Sequence, residues 1–258
     1  MLLENKTAIV YGAAGAIGSA VARAYAREGA GVHLAGRRMD SLNRVAEMIR
    51  DAGGTAHVAQ VDVLDRSAVE SHTASIVKAD GSIDACFNAT SNDDIQGTAL
   101  LNMSIEDFMQ PVTKSLTAHF NIATAVARHM ARGNGGVILV MAGGREAIPR
   151  LGGAHVAWAA LAALSRQLAA DLGPHGVRVA WLLSPGSPGS AGHADQDRTD
   201  SGLVDEPPPE PAPGTEGLLP HHQPSYAEVA DVAAFLASDS ARTMTATEIN
   251  LTGGVVID

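Results

Sequence analysis

Along most of the chain, short apolar runs alternate with stretches whose apolar positions recur at helical spacing. Thr7 to Tyr11 (TAIVY) is a continuous apolar run, as expected of a strand covered on both faces. Ile17 to Glu28 reads as a helix closed by Gly29. Val32 to Ala35 is a second strand. Asp40 is then predicted to cap a helix with Leu42, Val45 and Ile49 on one face, ending at Gly53-Gly54. Ala56 to Val61 is a third strand, followed by a helix from Arg66 to Ala79, and Ile83 to Phe87 is a fourth strand. Ser104 and Asp107 form a helix-start box. Pro111 is expected in the first turn of a long helix that reaches Arg132. Val137 to Met141 and Val177 to Leu183 are further strands on either side of a helix around Trp158. A helix from Tyr226 to Ala237 and a short strand from Glu248 to Leu251 complete the pattern. Such alternation predicts an α/β protein: one Rossmann-type domain over residues 1–258, a doubly wound parallel sheet with helices on both faces.

One segment departs from this pattern. Residues 187–224 hold eight of the twelve prolines, and seven acids against the single base Arg198, which is −6 of the chain's −10. That composition cannot bury much core and is expected to be mobile. Two readings stand: a variable surface loop, or a lid inserted over a substrate site.

Composition narrows the function classes. A length of 258 residues suits one α/β domain, and 46% hydrophobic with 18% charged residues suits a soluble globular protein. No apolar run approaches the ~20 residues of a membrane helix, and MLLENKTAIV lacks the features of a signal peptide. A lone cysteine, Cys86, excludes an internal disulfide, fits the cytoplasm and reads as core filler, a reactive thiol being the alternative. Net charge of −10 argues against nucleic acid as a partner. No metal-ligand spacing stands out, and the adjacent His221 and His222 read as a solvated loop pair.

Candidate chemistry begins where the first strand meets the first helix, Tyr11-Gly12-Ala13-Ala14-Gly15-Ala16-Ile17-Gly18. Glycines there allow a tight turn and close backbone approach to a pyrophosphate at a helix N-terminus. Gly12, Ala14, Gly15, Ala16, Ile17 and Gly18 are the candidate contacts; a turn that binds nothing is the alternative. After the second strand, where an acid would select NAD(H), the run is Gly36-Arg37-Arg38. Two guanidinium groups suit the 2′-phosphate of NADP(H), which is preferred over NAD(H); a pair of exposed arginines is the alternative. Asp62-Val63 ends the third strand beside the expected adenine, and Asn88-Ala89-Thr90 ends the fourth beside the ribose.

Together these residues resemble the short-chain dehydrogenase/reductase family over nearly the whole chain. The resemblance is carried by GAAGAIG (Gly12–Gly18), VDV (Val61–Val63), Asn88, LAADLGPHGVRVAWLLSPG (Leu168–Gly186), FLASD (Phe235–Asp239) and LTGG (Leu251–Gly254). It adds Pro185 and Gly186 to the cofactor-binding set. It implies oxidoreductase activity on a small-molecule substrate, and a homodimer or homotetramer through the helices around 105–132 and 154–172. There are departures: Tyr11 and Ala16 replace a threonine and a glycine of the family's turn, and NATS (Asn88–Ser91) stands where the family has NNAG.

The family implies a tyrosine proton donor, a lysine one turn later, a serine and an asparagine. A tyrosine titrating near ~10 needs a neighbouring cation to exchange protons at neutral pH. Aligned without gaps from LAADLGPHG, the tyrosine position is Ala154 and the lysine position Trp158. The strand-end serine falls on Gly143 and the asparagine on Ser115. The only tyrosines, Tyr11, Tyr25 and Tyr226, lie elsewhere. Candidate substitutes are Arg145, beside Glu146; His155, roughly 100° around the helix from Ala154; and His119, on the helix face of Ser115. Each also has a structural reading: an Arg145–Glu146 surface pair, a solvent-facing His155, and His119 in a helix–helix interface. Three functions remain open: a divergent NADP(H) reductase; a non-redox cyclase, isomerase or dehydratase; and a non-catalytic regulatory partner.

Overall fold

The computed structural model describes residues 1–145, 147–184 and 224–254. The expected lid, except for residue 224, lies outside the described residues, as do Glu146, Pro185, Gly186, His221 and His222. The strands are β1 (Thr7–Tyr11), β2 (Gly31–Gly36), β3 (Thr55–Gln60), β4 (Ala85–Asn88), β5 (Gly136–Ala142), β6 (Val177–Leu183) and β7 (Thr247–Asn250). The α-helices are α1 (Ala16–Arg27), α2 (Met39–Asp51), α3 (Arg66–Asp80), α4 (Ile105–Met130), α5 (Ala154–Leu172) and α6 (Tyr226–Ala237). Every strand pair is parallel, in the order β3-β2-β1-β4-β5-β6-β7. This is the doubly wound Rossmann-type fold that the alternating pattern predicts.

Apolar runs become strands here because both sheet faces are covered. Val10, Leu34, Phe87, Leu139 and Leu182 pack with α1, α2 and α6. On the opposite face Ile9, Cys86, Ile138 and Val179 pack with α3, α4 and α5. Cys86 is wholly enclosed, and burial pushes its thiol pKa up, so it fills core as expected.

Two local expectations are corrected. Asp40 does not cap α2, because the helix opens at Met39 with Arg38 at the N-cap; the Asp40 carboxylate sits in the first turn, at the positive end of the helix dipole. Pro111 lies past the first turn of α4, because Ser104 caps the helix a turn earlier than Pro111 requires, its Oγ accepting from Asp107 N at 3.0 Å. Start positions of helices also follow from long-range contact. Gly153, at the N-cap of α5, packs so tightly on α4 that a Cβ there would stand 1.9 Å from the Phe108 carbonyl oxygen.

Candidate cofactor and catalytic site

The strand order reverses between β1 and β4, and the crevice outside their C-terminal ends is where such sheets take ligands. Gly12 lies in that crevice at φ +76, and a Cβ on it would meet the Ala89 carbonyl oxygen at 2.5 Å. A Cβ on Gly18 would meet the Gly12 oxygen at 2.2 Å. Both glycines are therefore required by close backbone approach. Gly15 is the N-cap of α1, which has no side-chain cap and no acid in its first turn, so its leading amides and positive dipole end face the crevice with Ala14, Ala16 and Ile17. Asn88 is buried at the end of β4. Its Oδ1 accepts from Thr90 N at 3.0 Å and Thr90 Oγ1 at 2.7 Å, which turns Ala89 and Thr90 around Gly12.

Arg37 and Arg38 are exposed after β2, and Asp62 and Val63 follow β3. The Asp62 carboxylate accepts from Leu64 N at 3.0 Å, and Asn121 on α4 donates to the Val63 carbonyl at 3.0 Å. Sequence reasoning missed one further residue here, Lys114. It lies on α4, is mostly enclosed, and is paired with Asp93 of the loop after β4. Desolvation lowers its pKa first, and the nearby Arg37 lowers it further, against the opposing influence of Asp62. Arg37, Lys114 and Asp62 come from three separate stretches of the chain, and the charges of Arg37 and Asp62 are felt at Lys114. The helical pattern around Lys114 gives no local sign of this.

At the other candidate centre, Ala154 opens α5 and is wholly buried, Ser115 is buried on α4, and Gly143 follows β5. The Trp158 ring lies against Gly143, where an added Cβ would stand 2.0 Å from Cε2 and 2.1 Å from Cδ2. Ala154 and Gly143 offer no side-chain donor, and the Trp158 indole offers an N–H without charge.

The structure separates the three substitute candidates. His119 is fully buried, with Nδ1 3.4 Å from Asn88 Nδ2 and Nε2 3.4 Å from Ser165 Oγ of α5; burial lowers its pKa to about 4. It is a neutral group inside a helix–helix contact. Arg145 Nε lies 2.5 Å from Glu248 Oε1 on β7, a pairing across the sheet edge; the Arg145–Glu146 pair falls outside the described residues. Trp181 Nε1 donates to the other Glu248 oxygen at 2.7 Å. His155 does not simply face solvent. It is half-buried, its Nδ1 is buried without a hydrogen-bond partner among the described residues, and it lines a cavity of about 240 Å³ with Trp158 and Glu248.

Among the described residues no helix is long and apolar enough to cross a membrane. The profile of a family described as "Enoyl-(Acyl carrier protein) reductase" matches residues 12–256. The chain is 29% identical to the uncharacterized oxidoreductase YxbG of Bacillus subtilis, over 98% of this chain and 92% of that one. It is 31% identical to an L-rhamnose 1-dehydrogenase (NAD(P)(+)) of Azotobacter vinelandii, over 100% of this chain and 99% of that one. Among solved structures it is similar to a short-chain type dehydrogenase/reductase from Mycobacterium marinum, with TM-score 0.81 and 28% identity over 99% and 97% of the two chains.

Proposed function

Because this chain belongs to the short-chain dehydrogenase/reductase family of oxidoreductases, whose members use a nicotinamide dinucleotide, we propose that it is an NADP(H)-binding, divergent reductase without the family's tyrosine–lysine proton transfer. The observation that carries the NADP(H) reading is the exposed Arg37–Arg38 pair that follows β2, at the rim of the crevice. Gly12 and Gly18 leave room for a pyrophosphate on the α1 amides. Arg37, Arg38 and Lys114 supply charge for a 2′-phosphate, and Asp62 accepts from the adenine amino group. When bound, NADP(H) supplies or takes a hydride. With Ala154, Trp158, Gly143 and Ser115 at the positions the resemblance assigns to chemistry, proton handling falls to His155, water or the substrate. Losing the general acid alone costs ~10²–10⁴ in rate. His119 and Arg145 are excluded from this role in the proposal, since one is enclosed and the other holds Glu248. A homo-oligomer through α4 and α5 belongs to the same reading, supported by the exposed Phe120 and Val156 on those helices.

The test is a titration of the purified protein with NADPH, NADP and NADH, read by cofactor fluorescence or calorimetry. Hydrogen bonds to a charged group contribute ~1.5–3 kcal/mol, so Arg37→Ala is expected to weaken NADPH by roughly 10–100-fold and NADH much less. Lys114→Met is expected to act in the same direction. Equal affinity for NADPH and NADH, unchanged by either substitution, would overturn the NADP(H) reading. Absence of any nucleotide binding would overturn the whole proposal.

A further inference from the structure

Behind the nucleotide crevice, three buried polar side chains meet from three elements: Asn88 at the end of β4, His119 on α4 and Ser165 on α5. His119 and Ser165 are wholly enclosed, and Asn88 is 3% exposed. Polar groups so deep in a core must find partners in one another.

Their contacts fix one another in turn. A backbone N–H can only donate, and Thr90 N lies 3.0 Å from the Asn88 side chain, so the amide oxygen faces it. Thr90 Oγ1 donates to the same oxygen at 2.7 Å. The Asn88 amino group is therefore turned the other way, onto His119 Nδ1 at 3.4 Å. An amide amino group also only donates, so Nδ1 accepts and carries no proton. Burial keeps the ring neutral, lowering its pKa to about 4. The single ring proton then sits on Nε2, which donates to Ser165 Oγ at 3.4 Å. A hydroxyl can give or take, so Ser165 accommodates this tautomer and does not choose it. The choice descends from the backbone amide of Thr90.

The near end of the chain is a wall of the crevice. Ala89 N donates to the Tyr11 carbonyl at 2.9 Å, and the Ala89 carbonyl closes over Gly12. Without an acceptor at His119, the buried Asn88 amino group would lose its partner among the described residues. The amide could then turn over and give its amino group to Thr90 Oγ1. Thr90 N would lose its acceptor, and the Ala89–Thr90 turn its tie.

We propose that His119 is a positioning residue of the nucleotide site: its unprotonated Nδ1 holds the Asn88 amide in the orientation that keeps Ala89 and Thr90 against Gly12. It touches no nucleotide and moves no proton. The inference rests on the nucleotide reading of the crevice and adds a requirement on a residue outside it. Ala89 and Thr90 stand where the ribose is expected, so loss of the tie weakens NADPH and NADH alike, whereas Arg37→Ala separates them.

The test compares wild type, His119→Asn and His119→Leu at neutral pH. Asparagine puts Oδ1 where histidine has Nδ1 and can accept; leucine cannot. Wild type carrying isotope-labelled histidine is read by long-range proton–nitrogen correlation NMR. The ring of His119, identified by its absence from His119→Asn, is expected as the Nε2–H tautomer. Hydrogen exchange at Thr90 N is expected to quicken by about tenfold or more in His119→Leu and to stay near wild type in His119→Asn. NADPH and NADH affinities are expected to fall together by about tenfold in His119→Leu and to recover in His119→Asn. A ring that only fills space would lower the melting temperature of both variants and leave the affinities of the folded protein unchanged, which would overturn the proposal. An Nδ1–H tautomer would overturn it too, and that is read in the wild type even if His119→Leu does not fold. If the wild type binds neither nucleotide, the proposed function falls, while the tautomer and the Thr90 exchange still decide whether His119 holds the turn.

Discussion

If the Trp158 ring occupies the space beside Gly143, adding one methyl group there should be costly, and only while the ring is present. The Cβ of Gly143→Ala would stand 2.0 Å from Trp158 Cε2, whereas ordinary contact begins at 3.4 Å. The ring or the strand end must therefore move by at least 1.4 Å, the difference of those two distances. Gly143 is not among the residues of positive φ, so alanine carries no backbone penalty and the cost is packing alone. Overpacking of this kind costs ~1–3 kcal/mol, the lower part of the range applying if the half-buried ring swings outward. For a chain of this size ~1 kcal/mol moves the melting temperature by roughly 2–4 °C. Scanning calorimetry of wild type, Gly143→Ala, Trp158→Ala and the double variant closes a cycle. Gly143→Ala should lower the melting temperature by about 2–12 °C in the wild type and hardly at all beside Ala at 158, a coupling of ~1–3 kcal/mol. Equal cost in both backgrounds would refute the interlock, and with it the argument that Trp158 has taken the space a side chain at 143 would need.

Two other consequences are open to direct measurement. His119 titrates near 4 when folded, because of burial, and near 6.5 when unfolded. The unfolded state therefore binds more protons between those values, and this contribution is present above about 6.5 and lost as pH falls toward about 4, at ~1.4 kcal/mol per unit. Urea denaturation across that window should show a shallower acid-side loss for His119→Gln than for wild type; identical slopes would count against a neutral buried imidazole. Gly12→Ala combines φ +76 with a Cβ 2.5 Å from a backbone oxygen that cannot rotate away. Strain and overlap together predict a loss of ~2–5 kcal/mol and weaker NADPH binding, seen as a lower urea midpoint and a right-shifted titration; a variant with the wild-type midpoint would show that the crevice opens more freely than the packing implies.

The sheet was readable residue by residue because a strand covered on both faces must be apolar throughout, as TAIVY and VRVAWLL are. Gly12 and Gly18 were readable for a related reason: a turn into a helix that must pass close to its neighbours admits little else. Arg37 and Asp62 follow from their places at strand ends, which topology alone brings to one rim. Helix starts are less legible, since Asp40 and Ser104 are equally good caps by residue type and only Ser104 is used as one. What tertiary structure decided is where long side chains ended up. Arg145 reaches Glu248, Trp181 joins the same acid 67 residues away, and Lys114 pairs with Asp93 of the loop after β4. His119 and His155 look alike in sequence, yet one is sealed between helices and the other opens on a cavity. Periodicity states which face of an element is apolar; it carries no information about which distant element supplies the partner, because that depends on sheet order and helix packing, and these form only when the whole core closes.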